Sequence, residues 1–165
     1  MRSPIPSYLD DVLASVASDK TGELANYIPE LAGVNPDRLG ASIAMVDGEL
    51  YGAGDVNEVF TIQSISKPFV YALALADRGF DKVLAKVGVE PSGEPFNEIS
   101  LEDESGRPLN PMINAGAITT HSLVGAENIS PEKRMERVVE GLSAFAGRPL
   151  QIDEAVYSSE IEHAH

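Results

Sequence analysis

In a chain of 165 residues, one stretch alone, Gly40 to Asp55, carries strand character, and every other patterned segment has helical periodicity. Ala-Ser-Ile-Ala-Met-Val, then Asp47-Gly48, then Glu-Leu-Tyr-Gly-Ala-Gly reads as strand, two-residue turn, strand. Asp-Gly fits a type I′ turn because both central positions need positive φ, which Asp tolerates and Gly adopts freely. A lone hairpin is marginal in water. No second set of strands follows it, so the pattern predicts an α+β chain whose sheet is incomplete.

The helical segments flank that hairpin. Ser7 ahead of Leu9, Val12, Leu13 and Val16 predicts an amphipathic helix over 7–19 with Ser7 as its cap. Leu24, Ala25 and Ile28 suggest a further helical turn or two within 23–31, stopped or bent by Pro29. Gln63-Ser64-Ile65-Ser66-Lys67-Pro68 leads into the apolar run Phe69 to Ala76, closed by Arg78 and Gly79. Pro68 has no N–H to bond the Ser64 carbonyl four residues back, which puts Ser64 in the first turn of a buried helix. Beyond Pro91 the chain is loop-rich and then helical, with Ser130-Pro131 capping a helix that runs to about Phe145.

Composition removes several classes of function. With 26 acidic against 12 basic side chains and a formal charge of −14, most of this surface repels nucleic acid and anionic membranes. The absence of cysteine excludes disulfides, thiolate catalysis and Cys-ligated metals. Asp10 and Asp11 interrupt the apolar positions near the start, unlike a secretory leader, so a cytoplasmic location is expected. No apolar run approaches the roughly 20 residues that span a bilayer. Any chemistry must come from Ser, Lys, Tyr, His or carboxylates.

Ser64 and Lys67 are the first candidates. Residues three apart on a helix share a face, with Cβ atoms about 5–6 Å apart, so the Lys67 amine can reach the Ser64 hydroxyl. A serine needs a base to attack at neutral pH, and a lysine serves only without its proton. The helix start and the apolar run behind it both disfavour the ammonium. The spacing itself is not decisive, because Ser130-Pro131-Glu132-Lys133 matches it too, and there a helix cap with a solvated lysine suffices. For Ser64 the same reading, a cap beside a surface lysine, stays open on spacing alone. His163 and His165 form a His-x-His pair with no third ligand nearby and read as solvent-exposed rather than metal-binding. His121 stands alone as a helix or loop residue.

Five motifs taken together are more specific. Tyr27-Ile-Pro-Glu-Leu31, Phe60-Thr-Ile-Gln-Ser-Ile-Ser-Lys67, Glu90-Pro-Ser-Gly with Pro95-Phe-Asn97, Asn110-Pro-Met-Ile-Asn-Ala-Gly-Ala117, and Val156-Tyr-Ser-Ser-Glu160 closely resemble the bacterial and mitochondrial glutaminase family, in the same order. The resemblance runs from about Thr21 onward and covers about the first half of that family's catalytic domain. It implies a β-lactamase/DD-peptidase-like fold, here a single N-terminal portion. In it, residues 1–63 hold the first helix and the hairpin of the α/β part, and 64–165 hold the nucleophile helix and a helical subdomain.

The resemblance also implies hydrolysis of L-glutamine to L-glutamate and ammonia through an acyl-enzyme, with no metal or organic cofactor and with homo-oligomers, dimer or tetramer, at full length. Carried onto matching positions, Ser64 is the nucleophile, Lys67 its base, and the Ser64 backbone N–H an oxyanion donor. Gln63 and Tyr27 match pocket-lining residues, Asn114 one near the substrate α-carboxylate, and Glu160 one at its α-amino end. A free amino acid presents both charges, so a selective site needs a partner for each. As bare residues, Tyr27 reads equally as a core or surface aromatic, Asn-Ala-Gly as a helix cap, and Glu160 as part of a solvated face.

The motif containing Glu160 is expected to continue into an Arg-Asn pair beyond His165. The family's later tyrosines, its second oxyanion donor and the remaining strands are then absent from these residues, which by themselves are expected to fold poorly and hydrolyse no glutamine. Two other functions fit parts of the pattern. Ser-x-x-Lys is also the nucleophile motif of penicillin-recognising enzymes, although no Ser-Asp-Asn accompanies it here. A non-catalytic amino-acid-binding module would keep the pocket and lose turnover.

Overall fold

The computed structural model describes residues 3–163, which lie in two compact units. One runs up to Thr61 and resumes at Asp153; the other is Ile62–Ile152. Among the described residues the elements are an α+β mixture of helices with a two-stranded sheet.

The first unit contains helix α1 (Ile5–Val16), the short helix α2 (Pro29–Ala32), strands β1 (Gly40–Ala44) and β2 (Leu50–Gly54), and helix α7 (Glu154–His163). The strands pair antiparallel with Gly40 opposite Gly54 and Ala44 opposite Leu50. Helix α1 packs on the hairpin with Leu9 buried, and a Cβ on Gly54 would stand 2.9 Å from Leu13 Cδ1. That close approach needs glycine at Gly54, whose φ of 69° suits glycine as well.

Three local expectations are corrected here. Ser7 does not cap α1, which begins at Ile5 behind Pro4 and carries Pro6 in its first turn. Proline fixes φ near the helical value and gives up an N–H that a first turn leaves unpaired anyway. For the same reason Pro29 starts α2 rather than stopping a helix over 23–31. The hairpin is where the sequence points, yet its turn is not type I′. Gly48 N–H donates to Met45 O at 3.0 Å and Met45 N–H to Glu49 O at 2.9 Å, around a three-residue loop, Val46-Asp47-Gly48. Gly48 has φ 91°, whereas Gln63 is the one non-glycine with positive φ among the described residues, so Asp47 stays at negative φ. This is a type I turn followed by a left-handed glycine, and it suits Asp47, whose Oδ1 accepts from Glu49 N–H at 3.1 Å.

The second unit holds helices α3 (Ser66–Arg78), α4 (Phe80–Leu84), α5 (Asn114–Ser122) and α6 (Pro131–Ala146). Its core joins Val70, Leu73 and Ala74 of α3 to Val83, Val124 and Val138. Helices α3 and α6 approach closely, since a Cβ on Gly141 would lie 2.5 Å from Leu73 Cδ1. Ser130 caps α6 as expected, accepting from Lys133 N–H at 3.4 Å, and Lys133 is exposed. Helix α4 was not anticipated from the sequence.

Between α4 and α5 a long connection is pinned at both ends. Gly88 N–H donates to Pro108 O at 2.8 Å, Glu90 N–H to Leu109 O at 2.9 Å, and Leu101 pairs with Pro108. Arg107 ties Glu102 Oε2 at 3.0 Å and also donates to the Leu84 carbonyl at the end of α4. The connection therefore returns to its starting point before feeding α5.

Candidate active site

Ser64 lies in a 3₁₀ turn, Gln63–Ile65, that runs directly into α3. This agrees with a place in the first turn and explains how Pro68 is tolerated behind it. Gln63 takes φ 42°, a left-handed conformation that costs a side chain energy and is held only where the surroundings enforce it. The Ser66 hydroxyl donates to Gln63 O at 2.7 Å and fixes that bend. Among the described residues Gln63 Nε2 is buried with no hydrogen-bond partner, an energetically costly state for an amide donor.

Lys67 follows one residue into α3 and is half-buried. Its Nζ donates to Met112 O at 2.9 Å and to Asn114 Oδ1 at 2.7 Å, and stands 5.4 Å from the centre of the Phe96 ring. Burial holds its pKa below the usual lysine value, with no charged neighbour contributing. Ser64 is exposed, and among the described residues its hydroxyl has no hydrogen-bond partner, Lys67 included.

Asn114 is the first residue of α5, and its side chain does not cap that helix, as the cap reading supposed. It reaches Lys67 instead. The approach is built by Asn110, whose Oδ1 accepts from Met112 N–H at 3.0 Å and Ile113 N–H at 3.2 Å while its amide donates to Glu90 O at 2.9 Å. Gly116 makes this possible, since a Cβ there would fall 1.8 Å from Asn110 O. Phe96 O accepts from Asn114 N–H at 2.9 Å, closing the turn that brings ring, carbonyl and amide to one lysine.

Tyr27 and Glu160 meet in the other unit. The Tyr27 hydroxyl donates to Glu160 Oε1 at 3.0 Å across 133 residues of sequence. Burial first, then the Glu160 carboxylate, pushes the phenol pKa up. The six candidates thus fall into two groups: Gln63, Ser64, Lys67 and Asn114 in Ile62–Ile152, and Tyr27 with Glu160 in the first unit.

Sequence reasoning gave no role to Phe96 or Met112, though both sit in motifs it quoted. Met112 contributes a backbone carbonyl, which no side-chain pattern reveals. Phe96 had a readable signal, an aromatic within a polar, Pro- and Glu-containing loop. One concavity of about 370 Å³ shares Asn110 and Met112 with the lysine anchors, and another of about 650 Å³ lies beside Ser130 and Lys133; neither is lined by Ser64. Among the described residues no group of three or more His, Asp or Glu is placed to hold a metal ion. His163 is exposed with Nδ1 2.8 Å from Ser159 O, and His165 lies outside the described residues.

Residues 22–165 match the family model described as Glutaminase. The chain belongs to the glutaminase family. It is 52% identical over 161 residues to a glutaminase of Corynebacterium efficiens, covering 98% of this chain and 38% of that protein. It is 48% identical to a glutaminase of Trichormus variabilis, covering 99% of this chain and 48% of that one. A solved structure of Mglu in its glutamate form is 50% identical with a TM-score of 0.93, over 99% of this chain and 38% of that one. The probable glutaminase from Bacillus subtilis complexed with 6-diazo-5-oxo-L-norleucine is 36% identical with a TM-score of 0.83, over 100% of this chain and 50% of that one. The chain spans half or less of the length of these glutaminases. No helix among the described residues is long and apolar enough to cross a membrane.

Proposed function

We propose that these residues carry the nucleophile and base of an enzyme that hydrolyses L-glutamine to L-glutamate and ammonia. The observation that carries the proposal is the state of Lys67: an amine one turn from a serine, its proton disfavoured by burial, with two carbonyl oxygens accepting from it. A neutral amine has two N–H donors and one lone pair. Met112 O and Asn114 Oδ1 use both donors, which frees the lone pair for the Ser64 hydroxyl.

In the proposed reaction Ser64 Oγ attacks the side-chain amide carbonyl of glutamine as Lys67 takes its proton. The Ser64 backbone N–H donates to the oxyanion. Collapse breaks the carbon–nitrogen bond, Lys67 returns the proton to the departing ammonia, and water then hydrolyses the acyl-enzyme by the same route. Gln63 and Asn114 in the one unit, and Tyr27 and Glu160 in the other, are each proposed as substrate-binding residues, with the Glu160 carboxylate suited to an α-ammonium. The fold class proposed is the β-lactamase-like one, in a soluble cytoplasmic homo-oligomer that needs no cofactor. Relatives named as glutaminases, and a neighbour complexed with 6-diazo-5-oxo-L-norleucine, support glutamine over penicillin as the amide recognised.

Ser64→Ala in the complete protein tests this. Ammonia release should vanish while calorimetric binding of glutamine remains. Persistent turnover would remove Ser64 as the nucleophile, and an unsubstituted protein that binds without turnover would be a binding module. Labelling at Ser64 by 6-diazo-5-oxo-L-norleucine and not by a labelled penicillin is the expected pattern.

A further inference from the structure

Among the described residues, both hydrogen-bond partners of the Lys67 amine and the aromatic ring beside it come from one stretch of chain, 96–114. The Phe96 ring is 5.4 Å from Nζ, Met112 O is at 2.9 Å and Asn114 Oδ1 at 2.7 Å. The stretch is closed on itself by Asn114 N–H donating to Phe96 O at 2.9 Å. Phe96 is 63% exposed, so the core does not account for its position, and an aromatic left at a surface beside an ammonium calls for another reason.

We propose that Phe96 is a positioning residue whose ring face, held over Nζ by that closed stretch, sets the pH at which Lys67 becomes a base. This rests on Lys67 acting as the base. The ring has two opposed effects. Its apolar bulk keeps water from Nζ and favours the neutral amine, while the negative face of its π-system attracts the ammonium and favours the charged one. At a partly exposed site the second effect is the one that a leucine of similar bulk removes selectively.

Other ionisable groups do not compete for this role. On the loop, Glu94 is tied to Ser100, and Glu98 makes no ion pair with Lys67. On α5, His121 responds to burial and to Arg134 rather than to Lys67, and α3 itself presents no carboxylate to Nζ.

The test is the pH profile of kcat/KM for glutamine, measured on the complete protein and on its Phe96→Leu, Phe96→Tyr and Lys67→Ala variants. Removing a surface cation–ring attraction should move the ascending midpoint of Phe96→Leu down by about 0.5 pH unit, a roughly threefold change in base fraction. Phe96→Tyr, which keeps the ring face, should stay at the parent midpoint. Coincident midpoints for Phe96→Leu and the parent, an upward move, or a uniform loss at every pH would overturn the proposal while leaving Lys67 as the base. Retention of the same ascending limb by Lys67→Ala would instead remove the base assignment, and the proposal with it.

Discussion

Lys67 Nζ and Asn114 Oδ1, 47 residues apart in sequence, lie 2.7 Å from one another. The amide oxygen holds the amine without adding charge. Asn114→Asp would put a carboxylate at that distance, favouring the ammonium and moving the ascending limb of kcat/KM to higher pH. Asn114→Ala would free the amine and lower kcat/KM roughly 100-fold, in the range of a lost general-base contribution. Parallel pH–rate profiles of the two variants check both outcomes.

The half-buried lysine has its own signature in stability. Its folded pKa lies below 10.5, so the unfolded chain binds more protons in the interval between the two values. The cost of burying the ammonium is fully present below the folded pKa and is relieved as pH rises towards 10.5. Chemical denaturation across that interval should show stability rising with pH in the complete protein, and this component should disappear in Lys67→Met.

Tyr27 is 52% exposed, and its hydrogen bond to Glu160 crosses most of the chain. Tyr27→Phe should cost about 0.5–1 kcal/mol, the low end for such a bond at a wet site. If the pair contacts substrate, KM for glutamine should rise more than kcat falls. The phenol's raised pKa sets the sign at alkaline pH: its contribution is present below 10.0 and is lost as pH rises through the folded value.

Gly116→Ala is the most damaging small change expected. The new methyl would meet Asn110 O at 1.8 Å, so the segment that delivers Met112 O and Asn114 to Lys67 must move. A loss of about 1–3 kcal/mol should accompany a disproportionate fall in kcat. Thermal melts and steady-state kinetics on the same sample would separate the two effects.

The hairpin loop makes a sharper prediction than its sequence does. With Gly48 at φ 91° and open space around it, Gly48→Ala should cost about 1 kcal/mol from backbone strain alone. Asp47→Gly should also destabilise, by about 0.5–1 kcal/mol, because Asp47 needs no left-handed freedom and glycine loosens the unfolded chain. A stabilising Asp47→Gly would restore the type I′ reading.

These loops show where sequence reasoning reached and where it stopped. Helical spacing located α1, strand-like stretches around Asp47-Gly48 the hairpin, a continuous apolar run α3 and the Ser130-Pro131 cap α6, because each of these signals is local and written in neighbouring residues. Prolines were misread at Pro29 and missed as the start of α1, since the same ring that breaks a helix interior opens a helix first turn. Ser64, Lys67, Asn114, Tyr27 and Glu160 were nameable from motifs. That Lys67 joins Asn114 and that Tyr27 joins Glu160 was not, because both pairings span long stretches of chain. Met112 was invisible for a simpler reason, as its contribution is a carbonyl that any residue could supply.

The Tyr27–Glu160 bond carries a consequence for biosynthesis. At about 5–20 residues per second, a ribosome that has just made Tyr27 needs roughly 7–27 s to reach its partner. In that interval the whole of Ile62–Ile152 is synthesised, while the first unit still lacks α7. The unit begun earliest is thus finished last, and a nascent chain stalled between Ile152 and Glu160 would display the Ser64 turn while Tyr27 still waited for its carboxylate.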